Sequence, residues 1–426
     1  MTMDWTRPAR RRAASIALLA LLLVGAACAP PADYPAPLPP EPVSGPMRSV
    51  LLVGNSLAGT VSFIDAESFT SLGSVNAVPD LAQRLAEING NPVTAIAYEV
   101  TKGQQALHRF EPAGGTRYID DVFTSPDGTT LYVSRSNLSD VVAIDLTRAT
   151  HPIKWRHIVN GFHADHASIS PDGTRIVVSV TTANAAEVLD AATGTVVGTF
   201  PTGAYPHQND YSANGAHIYN GSIGNVGLPY SLNAAKGDRQ LRVIDADTLQ
   251  VLRTYTFAYG VRPTVITPDE HLAYIQLSYL NGVVKYDLDA GQIIATSDQP
   301  LSPFAVANYP SRDVYPHDSA HHGLALSGDG TKLCDVGTID NTVSMVSTGD
   351  MSVSSTVDVG LMPYWATTSP DGSHCFVTIS GGDRIAVLDY DTGEEVASVP
   401  TGRFPQRNRL ATVPESELAL LTPSPG

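Results

Sequence analysis

Six of the twelve histidines fall in three short segments whose spacing suits metal or proton-transfer chemistry. They are His163 and His166 in Gly161-Phe162-His163-Ala164-Asp165-His166, His207 in Tyr205-Pro206-His207-Gln208, and His317, His321 and His322 in Tyr315-Pro316-His317-Asp318-Ser319-Ala320-His321-His322. Imidazole is the commonest protein ligand of first-row transition metals. A transition metal needs three or four such donors at about 2.0–2.3 Å. The His-x-x-His and His-x-x-x-His-His spacings let one segment present two of them. Zn, Cu, Mn or Fe is therefore the cofactor class these residues could hold. The competing use is hydrogen bonding between loops, or lining a wet channel. His108, His151, His157, His217, His271 and His374 lie elsewhere and are expected at the surface or in packing.

These segments are far apart in the chain, so the architecture has to bring them together. A turn of the form Ser/Thr-x-Asp/Asn-Gly recurs in six copies: Ser125-Pro126-Asp127-Gly128, Ser170-Pro171-Asp172-Gly173, Ser212-Ala213-Asn214-Gly215, Thr267-Pro268-Asp269-Glu270, Ser327-Gly328-Asp329-Gly330 and Ser369-Pro370-Asp371-Gly372. Only the fourth departs, with Glu270 in place of Gly. The spacing of 42 to 60 residues is that of one four-stranded propeller blade plus insertions. Pro presets φ, Asp accepts from its own backbone, and Gly takes the positive φ. Between turns run strand-like segments such as Leu131-Tyr132-Val133-Ser134 and Val142-Ala143-Ile144-Asp145, and a fourth strand runs to Gly-x-x-Pro, as in Gly203-Ala204-Tyr205-Pro206, Gly360-Leu361-Met362-Pro363 and Gly402-Arg403-Phe404-Pro405. Val50–Gly54 and Val61–Asp65 lack a first strand, which Asn408–Val413 can supply. The expectation is an all-β, seven-bladed β-propeller of four-stranded antiparallel blades, closed by pairing of the N- and C-terminal strands.

In such a fold the segment before each turn leads the innermost strand past the mouth of the central channel. Counting back four or five residues from each turn gives Asp120 and Asp121, Asp165 and His166, His207 and Gln208, Arg262 and Pro263, His322 and Gly323, and Tyr364 and Trp365. The Gly-x-x-Pro of the last blade adds Gln406 and Arg407. With a metal bound, Asp120, Asp121 or Asp165 could accept hydrogen bonds from its imidazoles, and Arg262 or Arg407 could hold an anion. Without one, the same ring suits a small polar ligand or peptide, with Tyr205, Tyr315, Tyr364 and Trp365 as stacking faces. Packing between blades is the other use of those aromatics. Insertions at 81–118, 222–240 and 296–316 could border the mouth, and Leu81–Ile88 has the spacing of a short amphipathic helix.

The recurring Tyr-Val-x-x, hydrophobic-Asp-x-x-Thr-Gly and Ser-Pro-Asp-Gly elements resemble the YVTN-repeat, YncE-like β-propeller family over roughly residues 48 to 426. The resemblance implies an extracytoplasmic binding or scaffold protein, and related propellers hold cofactors or metals as enzymes. Metal-dependent propeller lyases acting on uronic-acid polysaccharides offer an architectural analogy. The functional expectation is ligand or partner binding at the channel mouth. The alternatives are a metal-dependent lyase- or hydrolase-like enzyme, on an anionic saccharide for example, and a structural scaffold.

The N-terminus reads as an export signal. Arg7, Arg10, Arg11 and Arg12 precede the apolar run Ile16–Val24, and Gly25-Ala26-Ala27-Cys28 is similar to a bacterial lipobox. Residues 1–27 are expected to be the signal peptide. Residues 28–46 are expected to be a lipidated Cys28 with a proline-rich tether, and residues 47–426 the propeller. Cleavage without lipidation, giving a secreted protein, is the alternative. The expected location is the bacterial cell envelope outside the cytoplasm, with the anchor as the sole membrane contact. The net charge of −16, more negative still once the four N-terminal arginines are removed, argues against nucleic acid as a partner. A monomer is expected. Cys334 and Cys375 sit one residue out of phase on second strands of consecutive blades, the offset a disulfide between blades requires. Two buried thiols are the other arrangement. No Gly-x-Ser-x-Gly elbow, phosphate-binding Gly loop or Cys-x-x-Cys-His haem motif occurs.

Overall fold

The computed structural model describes residues 45–107 and 116–423. The signal segment, Cys28 and His108 lie outside them. The strands form seven four-stranded antiparallel sheets. Six are built from consecutive strands, and their inner strands are Asp121–Thr124, Ala164–Ile169, Pro206–Tyr211, Val261–Ile266, Leu324–Leu326 and Pro363–Thr368 in blades one to six. Blade seven joins the chain ends: Pro405–Pro414 is its inner strand and pairs antiparallel with Met47–Asn55, followed outwards by Thr60–Asp65 and Ser71–Asn76. The inner strands contact one another in a closed ring. The structure is the seven-bladed propeller expected from the turn spacing.

Strand alternation explains how a ring of thin sheets buries a core. Successive side chains of one strand point to opposite faces, so each blade feeds two interfaces. In blade two Val177 packs towards blade three, beside Ile218 and Ile244, while Val178 packs towards blade one, beside Val141 and Ala143. In blade seven Leu51 meets Phe376 and Val387 of blade six, whereas Leu52 meets Val122 and Val133 of blade one. One apolar cluster fills each gap between neighbours. Cys334 and Cys375 face each other in the gap between blades five and six and form a disulfide.

The turns carry out the sequence pattern in detail. In the first, Asp127 Oδ1 accepts from the backbone N–H and hydroxyl of Thr129 at 3.1 and 2.9 Å, and Gly128 takes φ +70°. Glu270, the one departure, adopts φ +59° against the steric preference of a residue with a Cβ. Its carboxylate is held by the Tyr219 hydroxyl at 2.6 Å and His217 Nδ1 at 2.7 Å, both on the neighbouring blade. Hydrogen bonds between blades thus hold the strained turn.

Leu81–Ile88 does form a helix, α1 (Leu81–Asn89), which buries Arg84 and Ile88. A second helix, α2 (Pro92–Leu107), follows it and was not apparent in the sequence. Buried charges fasten α1 to blade one: Arg135 contacts Asp80 at 2.5 Å and Asp140 at 2.6 Å, and Arg156 contacts Asp80 at 2.9 Å and Glu87 at 2.6 Å.

The chain enters and closes at one end of the ring. Met47 pairs with Pro414, at the end of the inner strand remote from Pro405. The Ser-x-Asp-Gly turns follow the inner strands at this same end, and the histidine segments precede them at the other.

Removing the bridge between blades five and six tests how much the ring depends on covalent closure there. A 41-residue separation corresponds to about 2–4 kcal/mol of stabilisation. Cys334→Ala with Cys375→Ala is expected to lower the denaturant midpoint accordingly, with the folded far-ultraviolet dichroism unchanged.

Candidate metal centre at the channel mouth

The residues that reach the axis do so through a repeated irregularity. The inner strand leaves register with its neighbour between Ala164 and Ala167, Pro206 and Asn209, Val261 and Thr264, and Pro363 and Ala366. The residues released from the ladder are Asp165 and His166, His207 and Gln208, Arg262 and Pro263, and Tyr364 and Trp365. Such a bulge re-aims side chains that a regular pleat would hold elsewhere. Here it turns Asp165, His166, His207, Arg262 and Tyr364 to the cleft.

Three imidazoles converge there from three blades. His207 Nε2 lies 3.0 Å from His166 Nε2 and 3.3 Å from His322 Nε2. A tetrahedron with metal–nitrogen bonds of about 2.0–2.1 Å has donor–donor edges of about 3.3 Å, so these separations fit one ion. The ligand atoms of His166, His207 and His322 all lie within 4.8 Å of one another. Tyr364 stacks on His322 at 4.0 Å between ring centres, and its hydroxyl is 3.2 Å from His322 Nε2. Asp165 Oδ1 stands 3.5 Å from His166 Nε2, and Asp120 Oδ1 stands 3.5 Å from His166 Nδ1. His166 Nδ1, His207 Nδ1 and Asp120 Oδ1 are buried and find no hydrogen-bond partner among the described residues.

A cleft of about 80 Å³ opens onto this cluster. Its wall includes His163, Arg117, Arg262, Tyr205, Thr181 and Gln406. Two of the insertions reach it, through Thr101 of α2 and through Ile223 and Val226 of 222–240, and His317, directly after 296–316, joins them. His317 (φ +44°) and Asp318 (φ +68°) are both left-handed, a strain of about 1–3 kcal/mol each. It is held by the buried Lys236–Asp318 ion pair at 2.5 Å and by the Arg262 guanidinium, which donates to the His317 carbonyl.

The expected ring is thus assembled only in part. His166, His207 and His322 meet, His163 and His317 line the cleft, and Asp120, Asp165, Arg262 and Tyr364 stand on its wall. His321, next to His322, turns away to Asp335 at 2.9 Å. Asp121 also stands apart from the cleft lining: it is ion-paired to Arg407 at 3.0 Å and Arg409 at 2.8 Å. Arg407 in turn lies over the Trp365 ring at 3.3 Å. Arg117 and Thr181 were not picked out from the sequence; Arg117 lies three residues before Asp120, and that offset was the one available signal. His157, His217 and His271 pair with Glu187, Glu270 and Asp289, away from the mouth.

Burial governs protonation here. It lowers His163 and carries His207 and His322 well below the usual imidazole range, with Arg262 adding to the last two. Neutral imidazole is the ligating form. Burial, reinforced by Asp165, raises Asp120 to about 7, and burial raises Asp165 to about 7 as well.

No protein-family model matches the chain, and no curated protein matches it. The fold and the cluster define a seven-bladed β-propeller with a histidine-lined channel mouth. Among solved structures it is similar to Kuenenia stuttgartiensis hydrazine synthase, at 19% identity and a TM-score of 0.54, spanning 68% of this chain and 88% of that one. That likeness concerns the fold alone.

The two neighbouring aspartates should behave oppositely. Asp121→Ala leaves Arg407 buried without its partner and is expected to cost about 3–5 kcal/mol in denaturant unfolding. Asp120 keeps its proton in the folded state up to about pH 7, whereas an unfolded aspartate loses it near pH 4. Its contribution is therefore complete below about pH 4 and is lost as pH rises towards 7. Melting temperatures of Asp120→Asn relative to the metal-free parent should rise across that window and level off above it.

Proposed function

We propose that this chain is an exported, lipid-anchored propeller of the YVTN-repeat, YncE-like kind that holds a transition metal at its channel mouth and uses it to bind a small polar or anionic ligand. The observation that carries the reading is the convergence of three Nε2 atoms at metal-ligand separations. Buried imidazoles facing each other nitrogen to nitrogen satisfy few hydrogen bonds, and an ion between them removes that deficit. Three protein donors leave coordination positions for an incoming group. The cleft supplies room for it, and Arg262 and Arg117 on its wall favour negative charge.

A metal-dependent hydrolase- or lyase-like enzyme is the second reading. It is favoured by Asp120 and Asp165, whose carboxyls are raised to about 7 beside the imidazoles. Carboxyls in that range suit general acid–base work at neutral pH.

Protein purified without an affinity tag and equilibrated with Zn²⁺ or Mn²⁺ is expected to retain metal after gel filtration. His207→Ala and His322→Ala should each weaken the tightest equivalent at least ten-fold without altering the circular dichroism. Absence of any retained metal under replete conditions rejects the reading. The anchor has its own test: Cys28→Ser should move the protein from the membrane fraction to the soluble extracytoplasmic fraction of the expressing cell.

A further inference from the structure

We infer that the channel mouth holds a second divalent cation, on Asp120, Asp165 and His166, beside the one on the three imidazoles. The inference rests on the metal reading above, because His166 belongs to both donor sets. The ligand atoms of Asp120, Asp165 and His166 lie within 4.8 Å of one another, as do those of His166, His207 and His322.

Charge is the first argument. Asp120 and Asp165 are 4% and 5% exposed; a buried carboxyl without a protein cation either keeps its proton or gives it up to a bound metal. Among the described residues neither has a lysine or arginine nitrogen within ion-pair distance; Arg407 acts on both, and Arg262 on Asp165, from further away, and their near titratable neighbours are His163 and His166. Asp121, adjacent in sequence and equally buried, has two arginines. The fold thus supplies protein cations to one aspartate of the pair and withholds them from the one that faces the cleft.

Unmet hydrogen bonding is the second argument, and it is independent. Asp120 Oδ1 and His166 Nδ1 are both orphaned, and they stand 3.5 Å apart. That distance is too long for a hydrogen bond between a charged pair and close to the donor edge of a metal site. His166 Nε2 thus faces His207 and Asp165 Oδ1, and Nδ1 faces Asp120 and, at 3.8 Å, Asp121; an ion on each nitrogen makes the ring an imidazolate bridge, its N–H proton released to solvent.

Two carboxylates and an imidazole favour an ion that accepts oxygen and nitrogen together, such as Mn²⁺. Each ion keeps coordination positions open towards the cleft, so the ligand class becomes an oxyanion, a carboxylate or a phosphate. Both aspartates line the cleft from which it enters.

Mn²⁺ alone is the probe, with bound metal measured by elemental analysis after equilibrium dialysis at pH 7.5. The intact chain should bind two equivalents and show an exchange-coupled electron paramagnetic resonance spectrum. Asp120→Asn and Asp165→Asn should each bind one equivalent with an uncoupled spectrum, and His207→Ala should lose the other. One equivalent in the intact chain, removed by His207→Ala, overturns the second site and leaves the three-histidine site standing. Two equivalents persisting in both aspartate variants, or an uncoupled spectrum at two equivalents, also overturns it. No bound metal overturns both readings. The spectrum of the intact chain decides even if a variant fails to fold.

Discussion

The chemistry of the mouth depends on one backbone device: at the start of the inner strand, two residues drop out of the hydrogen-bonded ladder. In a regular strand Asp165 and His166 would point to opposite faces and into two different gaps between blades. Released from register, both reach the channel. The same shift in blades three, four and six delivers His207, Arg262 and Tyr364. Backbone groups freed by these shifts are met by side chains of adjacent blades: Gln208 exchanges two hydrogen bonds with Thr264, at 2.8 and 2.9 Å, and the Asp121 carboxylate accepts from Ala167 N–H at 3.2 Å. The polar belt around the axis therefore serves the fold and the site together.

That arrangement needs a rigid frame, because the converging donors come from separate sheets. Apolar clusters between every pair of blades supply it, and the pairing of Met47–Asn55 with Pro405–Pro414 closes the circle so that no inner edge is left open. The rim of the cleft is made differently. α2, the 222–240 insertion and the strained His317 segment are additions to the repeat. They share the cleft wall with Arg117 and Arg262.

Much of the fold was legible in the sequence because it is written locally. Each turn needs its own Asp and Gly, and each strand its own alternation, so Ser170–Gly173 or Val142–Asp145 could be read without reference to the rest. The strand missing before Val50 and the spare strand at Asn408 could be matched for the same reason. The site was legible only as a set of candidates. Adjacent residues such as His321 and His322, or Asp120 and Asp121, have the same sequence environment, yet one of each faces the cleft and the other an ion pair. Partners on other strands and blades, Asp335 for His321 and Arg407 and Arg409 for Asp121, make that choice, and composition carries no trace of it. α2 was hidden for another reason: Val93, Thr94, Ile96, Val100 and Thr101 are β-branched, and its helical state is a product of tertiary packing over propensity.

The position of the chain's entry has a bearing on how the molecule meets its surroundings. The polypeptide joins the ring at Met47, on the side of the acidic turns, and the imidazoles open on the other side. The described chain thus joins the ring at the end far from the cleft, and a contact made there leaves the opening uncovered.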